Sequence, residues 1–287
     1  MIDIEEKIRE GKIVEELNHD YHAHREYISK SRLIKIGVCP EYFKWCEENE
    51  QERTEAMVVG SAFHKIVLEP DTFDDEFAVI PAIDRRTKDG KLAYEEFVKN
   101  AAGKSLITEE QFNTISAMRD VIMANKYAKA LLKGTTEKSI YFEDELTGEK
   151  CKCRPDCMRV IKDRVVITDL KSCSSAENKA FVNDVLKFGY DVQAYMYRLG
   201  VSKALDIPPE NVDFVFIAVE KKEPYLMNIL QVDEYTLQRG EQLFRKYIGT
   251  YHECKETDNW YGLNGIYGEI NQIVLPNYIL ENIKTGE

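Results

Sequence analysis

The sequence predicts an α/β protein in which a mostly helical N-terminal half packs around a central mixed β-sheet. Three observations carry this. Apolar residues recur at helical spacing through most of residues 1–132, four short apolar runs separated by turn residues follow between 139 and 173, and helical periodicity then alternates with two further strand-like runs.

Taken in order, 3–17 reads as a helix ended by Asn-His-Asp at 18–20. In ISKSRLIKIG, Ser29 and Ser31 are candidate caps of a short helix that stops near Gly37. Pro40 restarts the chain into EYFKWCEE. Residues 54–68 place Val59, Phe63, Ile66 and Val67 on one helix face, and LEPDTFDDEF breaks that helix. Pro81 opens a polar loop through Gly90, and two helices are expected at about 91–101 and 108–132. KSIYFEDE and EKCKCRP read as strands around Leu-Thr-Gly, and CMRVI and RVVITDL as a second hairpin around Lys162-Asp163. Residues 175–199 are helical in pattern, VDFVFIAVE and YLMNILQV are strands that close the sheet, and 233–253 is a final helix.

With 287 residues the chain is long enough for a sizeable core. No apolar run approaches the roughly 20 residues that span a bilayer. The acidic, amphipathic start MIDIEEKIREGKIVEEL lacks the features of a signal peptide, so a cytoplasmic location away from membranes is expected. Seven cysteines, at 39, 46, 151, 153, 157, 173 and 254, make a poor disulfide framework and match no familiar zinc knuckle; buried, reduced thiols are expected. The net charge of −12 excludes a generic nucleic-acid coat, whose affinity comes from neutralising phosphates. It does not exclude an enzyme that needs carboxylates for a metal and only a local basic channel.

The chemistry concentrates in CRPDCMRVIKDRVVITDLKSC, residues 153–173. Strand side chains alternate, so Asp169 and Lys171 share a face with Leu170 opposite, and a tight hairpin brings Asp156 beside Asp169. Two adjacent carboxylates repel unless a cation sits between them, and Mg²⁺ suits hard oxygen ligands and phosphate. Lys171 can then orient a water or offset charge on phosphorus. An ordinary charged hairpin explains the same spacing, and this motif alone does not decide between the two. His64 lies four residues after Gly60 on one helix face, as a core histidine or as a further metal ligand. Gln193 and Tyr197 are also at i, i+4, either as half-buried polar groups or as hydrogen-bonding partners of the site. Tyr195 falls on another face and packs. Arg85 and Arg86, with Thr87 and Gly90, form a basic loop suited to a DNA strand or its terminal phosphate. Ser29 and Lys30 are weaker candidates for that task.

Together these features run in the order G-x-x-x-H, P-D, D-x-K, Q-x-x-x-Y. That order resembles the PD-(D/E)XK nuclease superfamily and, within it, the branch of RecB-type nuclease domains. YHAHREYISKSRL, GSAFHKIVLEPDTFDDEFAVIP, RRTKDGK, SIYFEDELTGEKCKCRPD and VQAYMY resemble the nuclease domain of phage RecE-type exonucleases (exodeoxyribonuclease VIII), over roughly residues 20–230. The resemblance implies one nuclease domain over 1–287, with an N-terminal helix at 1–19, a core at 20–235 and a C-terminal helix and tail at 236–287. It implies Asp156, Asp169, His64 and the Leu170 backbone carbonyl as metal ligands, Lys171 as the water-orienting group, and Gln193 and Tyr197 near the site. It further implies Mg²⁺ as cofactor, with Mn²⁺ substituting, and 5′-to-3′ degradation of linear double-stranded DNA to 3′ overhangs. A RecT-type single-strand annealing partner, a ring-shaped homo-oligomer and a phage or prophage origin in a bacterial host complete that expectation. Two alternatives stand beside it: a structure-specific or restriction-like endonuclease, and a non-catalytic DNA-end binder that loads a recombination partner. A binder has no need of converging carboxylates near phosphate, which counts against the last.

Overall fold

The computed structural model describes residues 2–49, 52–275, 277 and 280 of the chain. Asp3 caps α1 (Ile4–Arg9) by accepting the Glu6 amide at 3.1 Å. The helix expected over 3–17 stops there. Gly11 turns the chain with a left-handed φ of 72°, and β1 (Ile13–Val14) pairs antiparallel with a later strand, so sheet contacts override the helical periodicity. The Asn-His-Asp expected to end that helix instead begins α2 (Asn18–Ala23). β2 (Ile28–Ser29) leads into α3 (Lys30–Ile36), where Ser29 holds the N-cap position without a capping hydrogen bond. Pro40 opens α4 (Pro40–Glu48), and the Thr54 hydroxyl caps α5 (Glu55–Leu68).

The segment after α5 is more structured than its turn residues indicate. It carries a 3₁₀ turn, the single-turn α6 (Phe73–Glu76) and β3 (Phe77–Ile80). α7 (Lys88–Asn100) starts before the expected point, so Gly90 sits in its first turn rather than in the loop. β4 (Ser105–Thr108) then pairs in parallel with β3. The helix expected over 108–132 is two, α8 (Glu109–Ala124) and α9 (Lys126–Leu131). Asn125 between them is extended, and its side chain accepts the Tyr127 and Ala128 amides.

β5 (Thr135–Thr136), β6 (Ser139–Glu143), β7 (Lys150–Cys153), β8 (Cys157–Ile161) and β9 (Arg164–Cys173) follow, and both expected hairpins form. They enter different sheets. β6 and β7 join a four-stranded sheet of order β1-β6-β7-β2, and β8 and β9 join a five-stranded mixed sheet with β5 beside β8 and two later strands beyond β9. Pro155, lying between β7 and β8 with no N–H to donate, marks the change. The helical stretch 175–199 is split at Gly189 into α10 (Asn178–Phe188) and α11 (Tyr190–Leu205). β10 (Val212–Glu220) then pairs in parallel with β9, β11 (Met227–Gln231) pairs antiparallel with β10, and α12 (Glu234–Thr257) closes the order β11-β10-β9-β8-β5.

β9 is buried on both faces, as a central strand of a parallel pair requires. Leu170 packs with Ile217, Val219 and α5 residues Ala62, Phe63 and Ile66. Ile167 and Cys173 pack on the other side with Phe214, Phe216, Phe244 and the α11 residues Val192 and Met196. Of the C-terminal tail, 276, 278, 279 and 281–287 lie outside the described residues. Among the described residues, no helix is long and apolar enough to cross a membrane.

Candidate active site

Alternation along β9 sends Asp169 and Lys171 to the α11 side of the sheet and Leu170 to the α5 side. The β8–β9 ladder ends at Cys157 opposite Thr168. Asp156 comes immediately before it, and its Oδ2 accepts the Leu170 amide at 2.7 Å in place of a strand partner. The end of one strand and the middle of its neighbour thus bring the two acids near enough for the charge of Asp156 to act on Asp169, although Asp169 stands outside the group of ligand atoms within 4.8 Å that contains Asp156. Both are buried, with Asp169 only 1% exposed.

Each remaining group contacts one of the acids. Gln193 on α11 donates through Nε2 to Asp169 Oδ1 at 2.5 Å. The Lys171 ammonium forms an ion pair with Asp169 Oδ2. That oxygen nevertheless has no properly directed hydrogen-bond donor among the described residues. From α5, His64 Nδ1 approaches Asp156 Oδ2 to 3.2 Å.

Burial pushes the Asp169 carboxyl above its ordinary range despite Lys171, and the charge of Asp156 adds to the rise. Burial acts on Asp156 in the same direction, but His64, Lys171 and the Leu170 amide outweigh it and hold this carboxyl low. Burial disfavours the charged form of His64, yet Asp156 prevails and raises the imidazole to about 9. Burial likewise works against the Lys171 ammonium, which the two aspartates keep protonated by raising its pKa.

Glu137 was not among the residues the sequence singled out. It sits at φ 50° between β5 and β6, and its amide donates to the Asp156 carbonyl at 3.2 Å. Its Oε2 accepts from Arg154 Nε at 2.8 Å. Ligand atoms of His64, Glu137 and Asp156 lie within 4.8 Å of one another. Burial, then Asp156, raises the Glu137 carboxyl to about 7. Nothing in TTEKS announces this; only the acid's place just before the first hairpin was visible.

The other expected residues divide. Lys30 reaches the site: its Nζ donates to the Phe188 carbonyl at 2.8 Å and stands 5.1 Å from the Tyr190 ring centre. Burial, then Lys171, lowers its pKa to about 7. Ser29 faces Ser31, hydroxyl to hydroxyl at 3.1 Å. Tyr197, one turn after Gln193, packs 6.2 Å from the Phe214 ring, and its hydroxyl makes no hydrogen bond among the described residues. Tyr195 packs against Phe244 and donates to Glu241 at 3.0 Å. Arg85 stacks over Tyr94 at 4.6 Å in the 81–87 loop, and the Arg86 amide donates to Asp84. Neither arginine contacts the carboxylates among the described residues. All seven cysteines are buried and unpaired, and burial raises the thiols of Cys151 and Cys157 to about 12.

The donor set is hard: carboxylate oxygens, one imidazole, and one buried carboxylate oxygen short of a donor. It fits a Mg²⁺- or Mn²⁺-class ion better than a thiolate-bound metal.

A family model described as "PDDEXK-like domain of unknown function (DUF3799)" matches residues 29–266. Among solved structures, the chain is similar to a crystal structure described as a "Putative exonuclease" from Eubacterium rectale, with 17% sequence identity and a TM-score of 0.61, covering 93% of this chain and 98% of that one. A structure of SSO0001 aligns at 14% identity with a TM-score of 0.31, over 85% of this chain and 83% of that one. No curated protein matches the sequence. At 17% identity the likeness to the Eubacterium rectale structure is one of fold.

Proposed function

The chain belongs to the PDDEXK-like family, and so to the PD-(D/E)XK nuclease superfamily; from that membership we propose that it is a Mg²⁺-dependent exonuclease acting on linear double-stranded DNA. The observation that carries the reading is the buried pair Asp156 and Asp169, with Lys171 as the ion-pair partner of the Asp169 oxygen that Gln193 leaves open. Such an arrangement is costly in an empty core and useful around a cation.

On this reading Asp156, Asp169, His64 and the Leu170 carbonyl hold the metal, and Glu137 extends the donor set beside His64. Bound Mg²⁺ would neutralise charge on the phosphate and acidify a water. The protein's own groups do the rest. Gln193 occupies Asp169 Oδ1 and so keeps Oδ2 directed at the site. Lys171 orients the water that attacks phosphorus and offsets charge on the phosphoryl oxygens as the bond to the leaving sugar oxygen breaks. Tyr197 serves as packing beneath Gln193.

The finer features rest on the resemblance to RecE-type exonucleases: 5′-to-3′ polarity, 3′ overhangs, a RecT-type annealing partner and a ring-shaped homo-oligomer formed from one nuclease domain per chain. The description of the Eubacterium rectale neighbour as an exonuclease supports the exonuclease reading alone and bears on none of these finer features. The test is Mg²⁺-dependent digestion of linear duplex labelled at the 5′ or the 3′ end, beside closed circular duplex. Early release of the 5′ label with circles intact is expected. Cut circles would move the reading to an endonuclease, and end binding without cleavage would move it to a loading module.

A further inference from the structure

Next to the carboxylates a line of aromatic rings runs from the core to the surface. Phe216, opposite Asp169 on β10, is 2% exposed. Its ring lies 5.6 Å from that of Tyr190, and Tyr190 lies 5.6 Å from Phe188 at an interplanar angle of 32°. Phe188 ends the line with 41% of its surface exposed. A single exposed phenylalanine needs no explanation, but this one and the tyrosine behind it have three lysines against them. Lys187 stands 5.1 Å from the Phe188 ring centre, Lys30 donates to the Phe188 carbonyl, and Lys30 and Lys171 stand 5.1 and 4.7 Å from the Tyr190 ring centre. Asp184, one turn before Phe188, is the acid on the same helix whose charge reaches Tyr190.

Gly189 makes this arrangement possible. Its left-handed φ of 63° ends α10 and starts α11 within one residue, which sets consecutive aromatics side by side. A Cβ there would meet Ile34 Cγ2 at 3.1 Å, so the missing side chain also leaves room for the close approach of Ile34. In a chain of net charge −12, a cation-lined aromatic ledge adjoining a carboxylate cluster matches one partner chemistry: a base with a flat face and a phosphate next to it.

We propose that Phe188, backed by Tyr190 and flanked by Lys30 and Lys187, is the platform on which an unpaired base of the DNA strand stacks while its phosphate lies against the ammonium groups beside Asp169. The proposal rests on the nuclease reading and adds to it where the strand end is held. The test is the fluorescence of 2-aminopurine placed as the unpaired terminal base of a partial duplex, titrated with protein in Ca²⁺ in place of Mg²⁺. Wild type quenches the probe on binding. Phe188→Ala loses the quench and binds about tenfold more weakly, as expected for one base–aromatic stack, and Phe188→Trp restores both. Unchanged affinity and quench in Phe188→Ala, or no quench with wild type, would overturn the platform. Hydrolysis of bis(p-nitrophenyl) phosphate by the unaltered protein with Mg²⁺ or Mn²⁺ is followed separately. Hydrolysis without stacking removes the platform alone, whereas stacking without hydrolysis keeps the platform and removes the nuclease reading.

Discussion

Asp169 is held by Gln193 on one oxygen and pressed by Lys171 on the other, deep enough that burial alone favours its neutral form. What opposes that burial is Lys171 rather than water. Replacing either member of the Asp169–Lys171 pair, as Asp169→Asn or Lys171→Ala, should lower the cleavage rate by at least about a hundredfold while far-UV circular dichroism stays near that of wild type. Tyr197→Phe should cost much less, because the hydroxyl it deletes makes no hydrogen bond among the described residues; a loss as large as that of Lys171→Ala would show its role to be chemical. Lys30 gives a pH signature. Its folded pKa of about 7 lies below its ordinary 10.5, so the native state binds fewer protons than the unfolded chain between those values and stability rises with pH across that window. In Lys30→Met that part of the rise should vanish in urea unfolding measured at pH 6 and pH 9; an unaltered slope would place the lysine in water. Strand alternation and a tight hairpin put Asp156, Asp169 and Lys171 near one another in the sequence, whereas His64 joined them only through the family resemblance, because helical spacing relates it to Gly60 and not to the acids. Glu137 was not legible, since it reaches Asp156 through a left-handed backbone turn that no side-chain pattern announces.

Elements were legible where one period persisted and hidden where a single residue or a distant partner interrupted it. The β6–β7 and β8–β9 hairpins follow from alternation and turn residues. Their separation into two sheets does not, because β1 and β2 reach β6 and β7 from residues far upstream. The short strands β3 and β4 were missed for the same reason: each is stabilised by the other across an intervening helix. Gly189 is where an element boundary sets site geometry, since its left-handed turn joins α10 to α11 with Ile34 close against it. Gly189→Ala should destabilise the fold by about 1–2 kcal/mol, the cost of a left-handed conformation with a Cβ, as a lower urea midpoint. An unchanged midpoint would mean that the junction relaxes freely.

At the scale of the whole molecule, an acidic chain proposed to act on an acidic polymer needs local cations and a bound metal, so one bulk property follows. Mg²⁺ or Mn²⁺ should raise the melting temperature of wild type, since a ligand that binds the folded state alone stabilises it by mass action, and Asp169→Asn should lose most of that shift. The measurement that bears most directly on the account is release of acid-soluble nucleotides from linear duplex DNA by wild type and Lys171→Ala, each with and without Mg²⁺. Release by wild type only when Mg²⁺ is present, and a near-complete loss in Lys171→Ala, is the predicted result. No release by wild type with Mg²⁺, or equal release by Lys171→Ala, would contradict it.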